Sequence, residues 1–121
     1  MAQPQILIDE VGPLPITETI TLGSTGPATL FVSGSVWTQQ LNTLIGIEVL
    51  LDGEQVGTAE IWSNGTGTHR SVVPKFLPIT LNKPFTGSPP TNPPTYTFTL
   101  QALNSNTISD LNDNFQVTLN A

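Results

Sequence analysis

Apolar and polar residues alternate with a period of two along much of the chain. Ile16, Ile20 and Leu22 are interleaved with Thr17, Thr19 and Thr21, and the same pattern returns where Tyr96, Phe98, Leu100 and Ala102 alternate with Thr97, Thr99 and Gln101. Phe115, Val117 and Leu119 alternate with Gln116, Thr118 and Asn120 at the C-terminus. Successive side chains of a strand point to opposite faces, so these stretches predict three half-buried strands. Ala28 to Trp37 and Ile45 to Leu51 are apolar on both faces, which predicts central strands or strands covered by a neighbouring subunit. Asp52-Gly53 lies between two apolar runs and supplies the positive φ angles of a two-residue hairpin, joining 45–51 to 55–62. Pro74 and Pro78 each delete a backbone donor, so 71–81 reads as an edge or bulged strand. With segments near 6–10 and 113–120, the pattern predicts eight strands and no helix.

Ten Gly and eleven Pro spread along 121 residues leave no room for long helices and favour many short elements joined by turns. The length suits one core, and the reading is an all-β, antiparallel two-sheet sandwich forming a single domain over 1–121. Hydrophobic residues make up 37% and charged residues only 10%, so the surface is solubilised mainly by Thr, Ser, Asn and Gln. A net charge of −6, with Arg70, Lys75 and Lys83 the only Lys or Arg, gives no basic stripe to attract a phosphate backbone and excludes nucleic acid as a partner. Without cysteine there is no disulfide, thiolate nucleophile or Cys-based metal site. No export signal and no apolar run long enough to span a membrane is visible, and the expected location is extracellular, or a virion or cell surface, rather than the cytoplasm.

Catalysis by paired acids needs two carboxyls converging on one cleft. With a two-residue hairpin at Asp52-Gly53, Glu48 pairs with Gly57 and Glu60 with Ile45, so Glu48 and Glu60 project from opposite faces. Glu54 and Glu60 then share a face but lie six residues apart, too far for a glycosidase pair. His69 is the single histidine, so a Ser-His-Asp triad would have to use it. Ser33-Gly34-Ser35 lies in a strand pattern rather than a nucleophile elbow, which leaves His69 as a partly exposed residue opening a strand, or as a ligand contact. The expectation is a protein that is not an enzyme, with a hydrolase using His69 and a nearby Asp kept as the check. Asp110, Asn112, Asp113 and Asn114 form the densest set of oxygen donors. The first three are candidate calcium ligands, weighed against a plain turn closed by local hydrogen bonds; no other cofactor is expected.

Sugar binding draws on exposed aromatic faces that stack on a C–H face while neighbouring polar groups take the hydroxyls. Trp37 and Trp62 are the candidate platforms, each with core packing as its alternative, and Asn64 and His69 are the polar partners. Tyr96, inside an alternating strand, is read as core.

The runs Gly26 to Ser35, Ile47 to Gly53, Tyr96 to Leu100 and Phe115 to Leu119 resemble a jelly-roll module of the tumour-necrosis-factor-like superfamily, which includes the globular heads of collagen-like complement proteins. The resemblance implies a jelly roll assembled as a homotrimer. Val32 to Ser35, Val49 to Ala59 and Tyr96 to Ala102 are also similar to bacterial immunoglobulin-like adhesin repeats, the alternative fold. The two strands predicted before Ala28 favour the jelly roll. The leading functional reading is a lectin-like, carbohydrate-binding module acting through loops at one end of the sandwich. The alternative is a structural or assembly component of a capsid, spike or surface layer.

Overall fold

The computed structural model describes residues 4–121. Nine strands follow in order: β1 (Gln5–Val11), β2 (Ile16–Thr21), β3 (Gly26–Val36), β4 (Thr43–Leu51), β5 (Glu54–Ser63), β6 (Arg70–Ser71), β7 (Lys75–Leu81), β8 (Thr95–Ala102) and β9 (Asn114–Asn120). Among the described residues there is no helix, and none long and apolar enough to cross a membrane.

One sheet runs β1-β9-β3, with β7 and the short β6 pairing successive parts of the same β3 edge. The other runs β2-β8-β4-β5. The pairs β1·β9, β2·β8, β3·β7 and β4·β5 are all antiparallel and nest one inside the next. The chain is thus one long hairpin, rolled so that β9 meets β3 and β8 meets β4. That nesting is the jelly roll, and it displaces the immunoglobulin-like alternative. β3 and β4, apolar on both faces in the sequence, are interior strands, and β7 with its Pro78 lies on an edge.

The inward faces supply the core. Phe98, Phe115, Leu30, Val32, Ile45, Ile47, Val49 and Leu100 are fully buried, and Tyr96 is buried with its hydroxyl accepting the Lys83 N–H at 2.9 Å. On the outer face of the second sheet, Thr17 and Thr99, and Thr19 and Thr97, pair across β2 and β8 at 3.2 and 3.0 Å.

The β4–β5 hairpin has the expected two-residue turn, with Asp52 at φ 50° and Gly53 at φ 85°. Its register then slips: Leu50 faces Gln55, but Val49 faces Gly57, so Val56 is an extra residue. This bulge overturns both expectations about the acids. Glu48 faces Thr58 and Glu60 faces Gly46, which puts Glu48 and Glu60 on the same outer face, while Glu54, opposite the inward position Leu51, takes the other. Glu60 is engaged by the Thr58 hydroxyl at 3.0 Å, and Glu48 accepts a hydrogen bond from Gln101.

Candidate functional site at the loop end of the roll

Four connections meet at one end of the sandwich: 12–15, 37–42, 64–69 and 103–113. Backbone hydrogen bonds tie them together. Trp37 and Ile108 exchange a pair at 2.9 and 2.8 Å, Gly67 N–H reaches Thr38 O at 2.8 Å, and Gly12 N–H reaches Asp113 O at 2.8 Å. Every candidate ligand or metal residue of the sequence lies at this end, in two separate groups.

The first group is centred on Asp113, whose carboxylate is fully buried and fully used. Its Oδ1 accepts from the Ser35 hydroxyl at 2.8 Å and faces His69 Nδ1 at 2.7 Å, and its Oδ2 accepts the Asp110 N–H at 2.9 Å. A buried charge is tolerated only when such donors replace its water. Asp110 Oδ1 accepts the Asn112 N–H at 2.9 Å, closing the turn that Asp and Asn favour. Of the three calcium candidates, Asp113 therefore spends its oxygens inside the protein and Asp110 spends one on the turn. Trp37, half-buried, packs on the imidazole with ring centroids 5.7 Å apart, and its buried indole N–H has no hydrogen-bond partner among the described residues.

The hydrogen bond to Asp113 raises the His69 pKa above the ordinary imidazole value; burial opposes the shift, and the charges of Asp113 and Asp110 add to it. With the folded pKa above the unfolded one, the protonated ring favours the fold. That contribution is complete below the unfolded value and is lost as pH rises through the folded one. The stability difference between the native chain and His69→Gln is accordingly expected to shrink as pH rises from the ordinary imidazole range upward. Urea unfolding across that range checks it; a pH-independent difference would contradict it.

The second group lies on the outer face of β5. Trp62 is 54% exposed, and its indole N–H donates to Asn64 Oδ1 at 2.8 Å. Leu44 faces Trp62 across the β4–β5 pair, and Glu60 precedes it on the same face. Trp62 with Asn64, and Trp37 with His69, thus form two surfaces of one end rather than one site.

Two features of the structure had no place in the sequence reading. Ser35, taken there as a strand residue, anchors Asp113 from β3. Glu10 and Glu18 occupy inward positions of β1 and β2, opposite Phe115 and Phe98, at the edge where the sheets part. Hydrogen bonding to Glu18 raises the Glu10 pKa, with burial and the neighbouring negative charge adding to the shift.

No family model matches this chain, and no curated protein matches it by sequence. Among solved structures it is similar to one described as "EclA C-terminal domain; sugar-binding protein", with a TM-score of 0.46 and 11% identity, over 98% of this chain and 79% of that one. At that level of likeness the description applies to the neighbour alone.

Proposed function

We propose that this jelly roll is a non-enzymatic, lectin-like module, displayed outside the cell or on a surface, that binds carbohydrate through the Trp62 platform. The carrying observation is the solvated indole whose ring is fixed by the bond from its N–H to Asn64 Oδ1. A ring already held in place loses little entropy when a ligand stacks on it. The Asn64 amide nitrogen offers donors and the Glu60 carboxylate offers acceptors beside the apolar face, which is the combination a pyranose requires. The absence of strong positive charge in the chain suits a neutral ligand.

Glycan-array binding of the native chain beside Trp62→Ala tests the reading. The native chain is expected to bind a defined set of glycans, and the variant to bind them about tenfold or more weakly with an unchanged melting transition. No glycan bound, or equal binding by the variant, would remove the proposal.

Self-association is a second reading, favoured by the outer face of the β1-β9-β3-β7 sheet. There Phe76, 70% exposed, packs against Phe31 at 4.8 Å between ring centroids. The homotrimer implied by the tumour-necrosis-factor-like resemblance would cover such a face. Light scattering is expected to give a trimer that Phe76→Ser disperses; a native monomer would contradict it.

A further inference from the structure

We propose that His69 and Asp110 form a site for a borderline divalent transition ion, zinc foremost, with Asp113 as the positioning residue. Asp113 Oδ1 already accepts from Ser35 and faces His69 Nδ1 at 2.7 Å, so the neutral ring carries its hydrogen on Nδ1 and keeps its lone pair on Nε2. That is how a ligating histidine is commonly held: one nitrogen donates to a buried carboxylate while the other faces the ion.

Nε2 has one further acidic neighbour, Asp110 Oδ2, at 3.9 Å. A tetrahedral pair of bonds of about 2 Å each spans about 3.3 Å, so Asp110 Oδ2 has to approach Nε2 by about half an ångström to share an ion with it. His69 and Asp110 side chains are 34% and 42% exposed, so the remaining coordination positions open to solvent. Water or ligand oxygens fill two of them in a four-coordinate ion, one more than in a zinc site with three protein ligands. Trp37 walls one side.

The donor set selects the ion. Calcium takes six or more oxygens in general. Here Asp113 has spent both oxygens and Asp110 has spent Oδ1 on the turn, which leaves one carboxylate oxygen and a nitrogen. A mixed imidazole and carboxylate pair suits zinc and its neighbours. This assignment is independent of the Trp62 platform, and either stands if the other fails.

Isothermal titration of the untagged chain with zinc chloride tests it. The expected result is one ion bound per chain, binding abolished in His69→Ala, weakened about tenfold or more in Asp110→Asn, and no response to calcium chloride. The His69 and Asp110 side chains are 34% and 42% exposed, and both variants are expected to fold, His69→Ala at some cost in stability because Asp113 loses a donor, which a melting curve measures. Asp113→Asn, assayed below its own unfolding transition, is expected to lower zinc affinity about tenfold while keeping the same stoichiometry. No zinc binding at about millimolar concentration, binding that survives His69→Ala, or equal binding of calcium would overturn the site. Full zinc affinity in a folded Asp113→Asn would overturn the positioning role.

Discussion

Asp113→Ala is expected to destabilise the chain by about 3 kcal/mol, one of the largest effects of any single substitution at the loop end. The substitution removes the acceptor for three donors at once: the Ser35 hydroxyl, His69 Nδ1 and the Asp110 N–H. His69 turns to water at little cost, but Ser35 and the Asp110 N–H lose a partner in a partly buried setting, where each unsatisfied group costs about 1–3 kcal/mol. The damage is mechanical as well as local. The Asp113 side chain joins β3 to the 64–69 connection and to the Asp110 turn, so its loss loosens both, while its carbonyl still accepts the Gly12 N–H. Urea unfolding measures the effect. Asp113→Asn, which keeps an acceptor oxygen, is expected to lose about half as much, and a cost for Asp113→Ala under about 1 kcal/mol would contradict the keystone role.

Gly46→Ala is expected to cost about 2–3 kcal/mol, as overpacking does where the neighbour cannot move. A Cβ on Gly46 would lie 2.9 Å from Glu60 Cα and closer still to Ala59 O, both backbone atoms of the paired strand β5. A flexible side chain would swing aside; a strand in the middle of its ladder does not. Gly46 also anchors the long connection, because its carbonyl accepts the Leu103 N–H at 2.9 Å and its N–H donates to Thr107 Oγ1 at 3.2 Å. Displacing β4 from β5 thus strains residues 103–107 too. Gly23→Ala is the control: nothing lies within 4 Å of its Cβ position, and its substitution is expected to leave the melting temperature nearly unchanged. Equal melting temperatures for the two variants would contradict the close approach.

Strand positions were legible because alternation and turn chemistry are local. Thr17 to Leu22 and Tyr96 to Ala102 declare their faces within a few residues, and Asp52-Gly53 declares its turn in two. The nesting of first strand with last rests on long-range pairing, which alternation does not encode, and only the number of strands before Ala28 hinted at it. The bulge in β5 misled the acid geometry, although it left a trace: Val56 and Ala59 both face the core while standing three residues apart, which no unbroken strand allows.

At the loop end the balance differs. Trp62 and Asn64 are two residues apart, so their partnership lies within reach of a local reading. His69 and Asp113 are 44 residues apart, and nothing in the sequence near either one names the other. The Asp110 to Asn114 run reads first as a turn and only second as a cation site, because both need oxygens at close spacing. The hydrogen bond from Asn112 N–H to Asp110 Oδ1 belongs to the turn, and the outward oxygen of Asp110 beside His69 Nε2 belongs to the proposed ion.

Whether the solvated Trp62 ring is the carbohydrate platform can be measured directly at the chain's two indole N–H groups. In a proton–nitrogen correlation spectrum of the labelled chain, titration with a glycan identified on the array is expected to shift the Trp62 Nε1–H and Asn64 side-chain signals saturably, leaving the buried Trp37 Nε1–H in place. Saturable shifts confined to Trp37 and His69, or to Phe31 and Phe76, with Trp62 unmoved, would contradict it.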